Sequence, residues 1–301
     1  MTMWLILGFV SAFFLGTYDI FKKISLQNNA VIPVLFASVV ASSLLLLPFL
    51  ALSRIVPGCL EGGIFYVPEV SFHTHLYIVL KAFIVLSSWL FAYFAVKHLP
   101  ITVASPIKAT QPIWTVFGAM LIFGERLNLY QSIGVGVTLV SFFLFSVVGK
   151  KDNMSFRTNK WLVYIVLATL TGAVSGLYDK YLMKQYDHMA VQVYYTFYQA
   201  IIMGVITLVM WYPRRKGGTP FQFRWSIVCI SLFLVTADFV YFYGLTLPGS
   251  MISIMSTVRR AGVVIPFLYG AIIMKDTNLK IRLFYLVEVL VGMFFLYLGS
   301  K

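Results

Sequence analysis

The sequence predicts an all-α membrane protein of ten transmembrane helices, built as two inverted five-helix repeats. Three observations carry that prediction: an extreme composition, ten apolar runs of spanning length, and four local motifs that recur in chain order. Of 301 residues, 60% are hydrophobic and 11% charged, with a mean hydropathy of +0.89. Soluble domains carry roughly 25% charged residues, so this chain has too little polar surface to coat a water-soluble fold. The same figures argue against a disordered chain, a secreted disulfide scaffold and a nucleic-acid module. The net charge of +13, from 23 Lys and Arg against 10 Asp and Glu, is what short basic cytoplasmic loops produce. Cys59 and Cys229 lie too far apart to suggest a zinc site or a disulfide framework.

A spanning helix needs roughly 20 mostly apolar residues. Such runs fall at 3–24, 31–52, 75–97, 101–123, 128–149, 160–183, 190–212, 225–247, 250–274 and 281–299. The first lacks a preceding basic region and a small-residue cleavage pattern, so it reads as a helix rather than a signal peptide. The second follows the polar turn Gln27-Asn28-Asn29, and the third follows a connection, 53–74, that places His73 and His75 in a loop. Leu99-Pro100 separates the third from the fourth, and Glu125-Arg126 ends the fourth. Lys150-Lys151-Asp152-Asn153 divides the halves, Pro213-Arg214-Arg215-Lys216-Gly217-Gly218 follows the seventh run, and Leu247-Pro248-Gly249-Ser250 makes a hairpin of the eighth and ninth.

Fourteen basic residues sit in the odd-numbered connections, against only Arg54, Arg126, Lys184 and Lys301 in the termini and even-numbered connections. The positive-inside rule then puts both termini outside the cytoplasm, with the plasma (inner) membrane the expected location. The Asn153-Met154-Ser155 glycosylation pattern falls on the basic side and reads as accidental.

Self-comparison aligns Gly16-Thr17-Tyr18-Asp19 with Gly176-Leu177-Tyr178-Asp179, and Tyr93-Phe94…Leu99-Pro100 with Tyr241-Phe242…Leu247-Pro248. It also aligns Glu125 with Asp276, and Lys108 with Arg259. Residues 1–150 and 151–301 thus read as two copies of one unit. An odd number of spans per copy forces the copies to run in opposite directions, the plan of secondary transporters with a midplane site.

Gln111-Pro112, the stretch Phe123-Gly124-Glu125-Arg126-Leu127, and Gln131 with Gly134 resemble the EamA-type repeat of the drug/metabolite transporter superfamily. The resemblance runs over essentially the whole chain, although the second copy has Val263 where the first has Pro112 and Lys275-Asp276 where it has Gly124-Glu125. It implies a metabolite carrier whose cavity is lined by the third, fourth, eighth and ninth helices beside the first and sixth. Arg259-Arg260 is similar to the paired basic residues that related phosphate and sugar-phosphate translocators use on anions.

Ionisable groups within a span cost roughly 2.5–3.5 kcal/mol each at the helix centre, which makes them functional candidates. They are Lys81, Lys108, Asp238, Arg259, Arg260 and Glu288. Asp238 lies ten residues before Pro248 and Arg259 ten after Gly249, so the hairpin brings them to one depth. Lys108 shares a polar stripe with Ser105, Gln111 and Thr115, and Arg260 shares one with Ser253 and Ser256. Pro106 and Pro112 in the fourth helix, and Gly262 with Pro266 in the ninth, mark equivalent kinks. Tyr93 and Tyr241 stand near them, and Tyr241 shares a helix face with Asp238.

The expected substrate-binding set is Lys108, Gln111, Tyr93, Asp238, Tyr241, Ser256, Arg259 and Arg260. Asp19 and Asp179 are coupling or gating candidates, with interfacial pairing to Lys22, Lys23 or Lys180 as the plainer role. Lys81, near a helix start, is expected to snorkel to the interface, and Glu288 has no evident partner. Lys108, Arg259 and Arg260 against Asp238 favour a small anionic metabolite.

The alternative is an exporter of amino acids or of neutral or cationic drug-like compounds, with Asp238 facing the cavity and the arginines structural. Outside transport, a receptor or assembly scaffold would have the same spans. No phosphate loop, nucleophile elbow or His-Glu-x-x-His is present, so no enzyme activity, metal or cofactor is expected. The partners expected are the metabolite and the bilayer, not nucleic acid, and a homodimer is compatible with the architecture.

Overall fold

The structure, a computed structural model, describes residues 3–98, 107–108, 110–147, 160–217, 219–263, 265, 269 and 279–299. Six helices among them are long and apolar enough to cross a membrane. These are α1 (Met3–Leu26), α2 (Val31–Ile55), α3 (Phe72–His98), α6 (Lys160–Gln185), α7 (His188–Ile206) and α8 (Trp225–Thr246). Between and after them lie α4 (Gln111–Phe123), α5 (Leu129–Val147), α9 (Ile252–Arg260) and α10 (Leu279–Gly299). At 1.5 Å per residue, the 24 residues of α1 reach roughly 36 Å, enough for a hydrocarbon core of about 30 Å.

Local chemistry sets the boundaries. Asn28 adopts a left-handed φ of 54°, turning α1 into α2. Asn29 then fixes the turn, its Oδ1 accepting from Ala30 N and Gln222 N, each at 2.9 Å. Asp187 caps α7 by accepting from Met189 N at 2.8 Å and Ala190 N at 2.9 Å. Gly124 ends α4 and Gly249 turns the α8–α9 hairpin, with φ of 63° and 73°. Ser71 starts α3 earlier than its hydropathy suggests, its Oγ accepting from Thr74 N at 3.3 Å. His73 and His75 therefore belong to the first turn of α3 rather than to a loop. His75 Nδ1 lies 2.9 Å from Tyr198 Oη. Among the described residues no His, Cys, Asp and Glu group is placed to hold a metal.

The packing pairs are α1 with α8, α3 with α6, α5 with α10 and α2 with α7, each antiparallel. Ser11 Oγ donates to Ala237 O at 2.7 Å while Ser25 meets Ser226 at 2.6 Å, so α1 and α8 run oppositely. Ser88 Oγ donates to Ala168 O at 2.8 Å, and Tyr178 Oη to Tyr77 O at 3.1 Å, which sets α3 against α6 in the same sense. In contrast α4 lies parallel to α6, and α9 parallel to α1. Small residues permit these approaches, as expected where lipid offers no hydrophobic drive and packing decides association. A Cβ on Gly262 would collide with Ala12 O, one on Gly172 would come within 2.9 Å of the Gln111 side chain, and one on Gly134 would lie 2.7 Å from Gly292 O. Hydroxyls inside the bundle are returned to their own helices, as with Ser42 Oγ to Ser38 O at 3.0 Å and Thr169 Oγ1 to Ile165 O at 2.8 Å.

Candidate functional site

The glycine contacts bring α4 onto α6 and α9 onto α1, while α3 and α8 close the ring. Between these six helices lies a cavity of about 290 Å³. From α4 it receives Gln111 and Thr115, from the segment just before α4 Lys108, and from α9 Ser256, Arg259 and Arg260. Asp238 and Tyr241 project from α8, Lys81, Ser88 and Trp89 from α3, and Asp179 from α6. Tyr195 of α7 completes the floor. From α1 the lining runs from Leu15 through Tyr18 and Asp19 to Lys22, so the cavity reaches toward the side where α1 ends.

Three carboxylates line the cavity, and each has a basic partner. Arg259 Nη2 donates to Asp238 Oδ1 at 2.8 Å, with its guanidinium 4.0 Å from the centroid of the Tyr241 ring. Lys22 Nζ donates to Asp19 Oδ1 at 3.1 Å one turn away. Lys81 Nζ donates to Asp179 Oδ1, and both side chains are buried, 2% and 10% exposed. Five lining cations face three lining carboxylates, an excess of two. Lys108, just before α4, and Arg260, on α9, are the cations left over, with no carboxylate within ion-pair distance among the described residues.

The opposite end of the cavity is shut by three ties. Lys180 Nζ donates to Leu245 O at 3.2 Å and to Ser250 O at 2.7 Å, and also to Ser250 Oγ, pinning α6 to the α8–α9 hairpin. Glu125, just past α4, accepts from Ile252 N at 2.7 Å and from Ser253 N at 3.0 Å, capping α9 with a negative charge at its positive end. Lys184 lies 4.8 Å from the Phe123 ring centroid. The cavity is therefore closed on the side where α6 and α8 end.

Residues 2–147 match the profile of the EamA-like transporter family. The first part of the chain thus carries the EamA-like transporter profile. With six helices of spanning length and composition among the described residues, it is an integral, multi-pass membrane protein, consistent with the drug/metabolite transporter superfamily. No curated protein matches its sequence. A solved crystal structure shares the fold with a TM-score of 0.72 at 12% identity, covering 96% of this chain and 94% of that one. At that identity the likeness is one of fold alone.

In this EamA-like chain the structure brings together Lys108, Gln111, Asp238, Tyr241, Ser256, Arg259 and Arg260, with Asp19 and Asp179 on the same cavity. The side chain of Tyr93 lies outside the described residues, as do Ser105, Pro106, Asn153, Pro266, Lys275 and Asp276. Four expectations are corrected. Lys81 does not snorkel: starting α3 at Phe72 carries it a further turn inward, to Asp179. Asp179 consequently does not pair with Lys180, which reaches the α8–α9 hairpin instead. Ser253 does not face the cavity, because its Oγ donates to Glu125 Oε2 at 2.5 Å. Glu288 has a partner, Ser141 Oγ at 3.1 Å on the α5–α10 face. Lys81, Tyr195 and Trp89 were missed as lining residues.

Proposed function

We propose that this EamA-like chain is a secondary carrier of a small organic anion, working by alternating access. One observation carries the substrate class: with every lining carboxylate paired, Lys108 and Arg260 remain unneutralised in a closed-ended cavity. Arg offers a planar fork to a carboxylate or phosphate and Lys a point charge. A cavity open toward one side and tied shut on the other has the form of one state of such a cycle.

The ten-span inverted repeat, residues 1–150 and 151–301, belongs to this reading. Its support is the pairing pattern: under the duplication α1–α8 corresponds to α6–α3, and α1–α9 to α6–α4. The close approach of Gly262 to Ala12 likewise corresponds to that of Gln111 to Gly172. Basic residues concentrate on the side toward which the cavity opens, so in the plasma-membrane orientation with both termini outside, this is the inward-facing form.

The test is thermal stabilisation of the purified protein by phosphorylated, carboxylated, neutral and cationic metabolites, repeated on Lys108→Ala and Arg260→Ala. Ligand bound only to the folded state raises Tm. Anions are expected to stabilise the wild type selectively and to lose that effect in both variants. Stabilisation by neutral or cationic compounds that survives both substitutions would replace the reading with that of an amino-acid or drug exporter.

A further inference from the structure

The Lys81–Asp179 pair is not needed to explain anion selectivity, yet it occupies the floor of the cavity. We infer that Asp179 is a proton-binding site released for loading when a substrate anion draws Lys81 away, coupling proton and anion movement. The inference rests on the anion reading above.

Burial separates the three lining carboxylates. The Asp19 side chain is 43% exposed and paired within its own helix, whereas Asp179 is 10% exposed and paired across to α3. Asp238 has a partner fixed twice, by the carboxylate and by the Tyr241 ring. Lys81 is held differently. Its ammonium lies 4.4 Å from the Tyr195 ring centroid and 4.7 Å from that of Phe242, and Asp179 is the hydrogen-bond acceptor it has among the described residues. Ring faces attract a cation but take no strong hydrogen bond from it, so an ammonium with three donors has acceptor capacity to gain from an arriving anion. Its four-carbon stem permits the exchange.

Every helix packed around Asp179 contributes to its setting. Lys81 faces it from α3, Tyr195 from α7, Asp238 and Tyr241 from α8, and Arg259 from α9, while α4 brings the uncharged Gln111 and Thr115. Lys180, its neighbour, is committed to Ser250 on the far side. When Lys81 turns to an anion, no other described cation is uncommitted at the floor. A buried carboxylate without a cation favours its neutral form. Asp179 then takes a proton from the bulk solution, delivered through the cavity, and becomes a carboxylic acid, and Lys81 keeps its own proton. Under the duplication, Cys229 and Asp19 stand where Lys81 and Asp179 stand in the other half. One half thus carries the device, giving one proton per anion.

Infrared difference spectroscopy on the full-length protein in lipid vesicles tests this at constant pH, with inorganic phosphate, malate and glucose 6-phosphate added together as the probe. The expected result is growth of a carboxylic-acid C=O band on anion addition, present in Glu288→Gln and absent in Asp179→Asn. In Lys81→Met the band should exist before anions and no longer respond to them, a result that stands even where Asp179→Asn folds poorly. If the anions raise Tm but no such band grows, or it survives in Asp179→Asn, the coupling site is overturned and the anion carrier stands. If the anions neither raise Tm nor move the spectrum, the anion reading falls and the coupling falls with it.

Discussion

Asp238→Asn separates the two transport readings by sign. The asparagine keeps an oxygen where Asp238 Oδ1 now accepts from Arg259 Nη2 at 2.8 Å, so Arg259 stays in place while its charge is no longer cancelled. The cavity's excess of cations rises from two to three. For an anion held between Lys108 and Arg260, a further unit charge across roughly 8 Å contributes about 2 kcal/mol at an effective dielectric near 20. Kd should therefore tighten about ten- to thirty-fold. Folding moves the other way: a charge-assisted hydrogen bond becomes a neutral-acceptor one, at a cost of about 1–2 kcal/mol. Buried Arg259 Nε, already without a partner, leaves no compensating contact. The assay is calorimetric titration of wild type and variant with the anion that most raises Tm, beside a melt without ligand. Tighter anion binding on a less stable protein is expected. Loss of binding would refute the pairing argument, since it would make Asp238 itself a ligand, as an amino-acid or cation exporter requires.

Three further outcomes follow from the geometry. With Cys59 and Cys229 replaced by Ser, an Ile252→Cys reporter at a fully buried position should react slowly with a membrane-impermeant maleimide. Adding Glu125→Gln and Lys180→Met should speed it by about tenfold, and an unchanged rate would show that these ties do not hold that side shut. Gly292→Ala puts a Cβ against Thr138 Oγ1 and 2.9 Å from Gly134 O, so stability should fall by about 1–3 kcal/mol with anion affinity unchanged; a melt and a titration on one sample check both. Glu288→Gln should leave anion flux into vesicles unchanged, because its partner is Ser141 and it does not line the cavity.

Legibility in the sequence followed the range of the interaction. The six spans found among the described residues were readable because each depends on its own hydropathy, and Asp238–Arg259 was readable because a two-residue turn equates depths counted from either side of it. Lys81–Asp179 was not, since its partners lie 98 residues apart on helices joined by no hairpin, and a three-residue error in the start of α3 moved Lys81 from the core to the interface. Lys180 was hidden for another reason: adjacency to Asp179 suggested a pair, but neighbours on a helix point about 100° apart. Ser253 had the right periodicity for the cavity stripe. Only the position of Glu125, fixed by the packing of α4 on α9, reveals that its hydroxyl serves the closed end.

The proposed duplication also specifies the other end state. Glu125 caps α9 through Ile252 N and Ser253 N, with the Ser253 hydroxyl completing the contact. The residues equivalent to Glu125, Ile252 and Ser253 are Asp276, Ile101 and Thr102, all outside the described residues. Thr102 supplies a hydroxyl where Ser253 does, and Asp276 a carboxylate one methylene shorter than Glu125. If the halves exchange roles in alternating access, the state closed on the basic side uses Asp276 against Ile101 and Thr102, formed only when Glu125 lets go of α9. The two caps are then mutually exclusive, and weakening one favours the other. A Thr102→Cys/Asp276→Cys pair should cross-link slowly in the wild-type background and several-fold faster when Glu125→Gln is added. A cross-linking rate indifferent to Glu125 would mean that the two ends are not coupled, and that the repeat is architectural rather than the basis of a transport cycle.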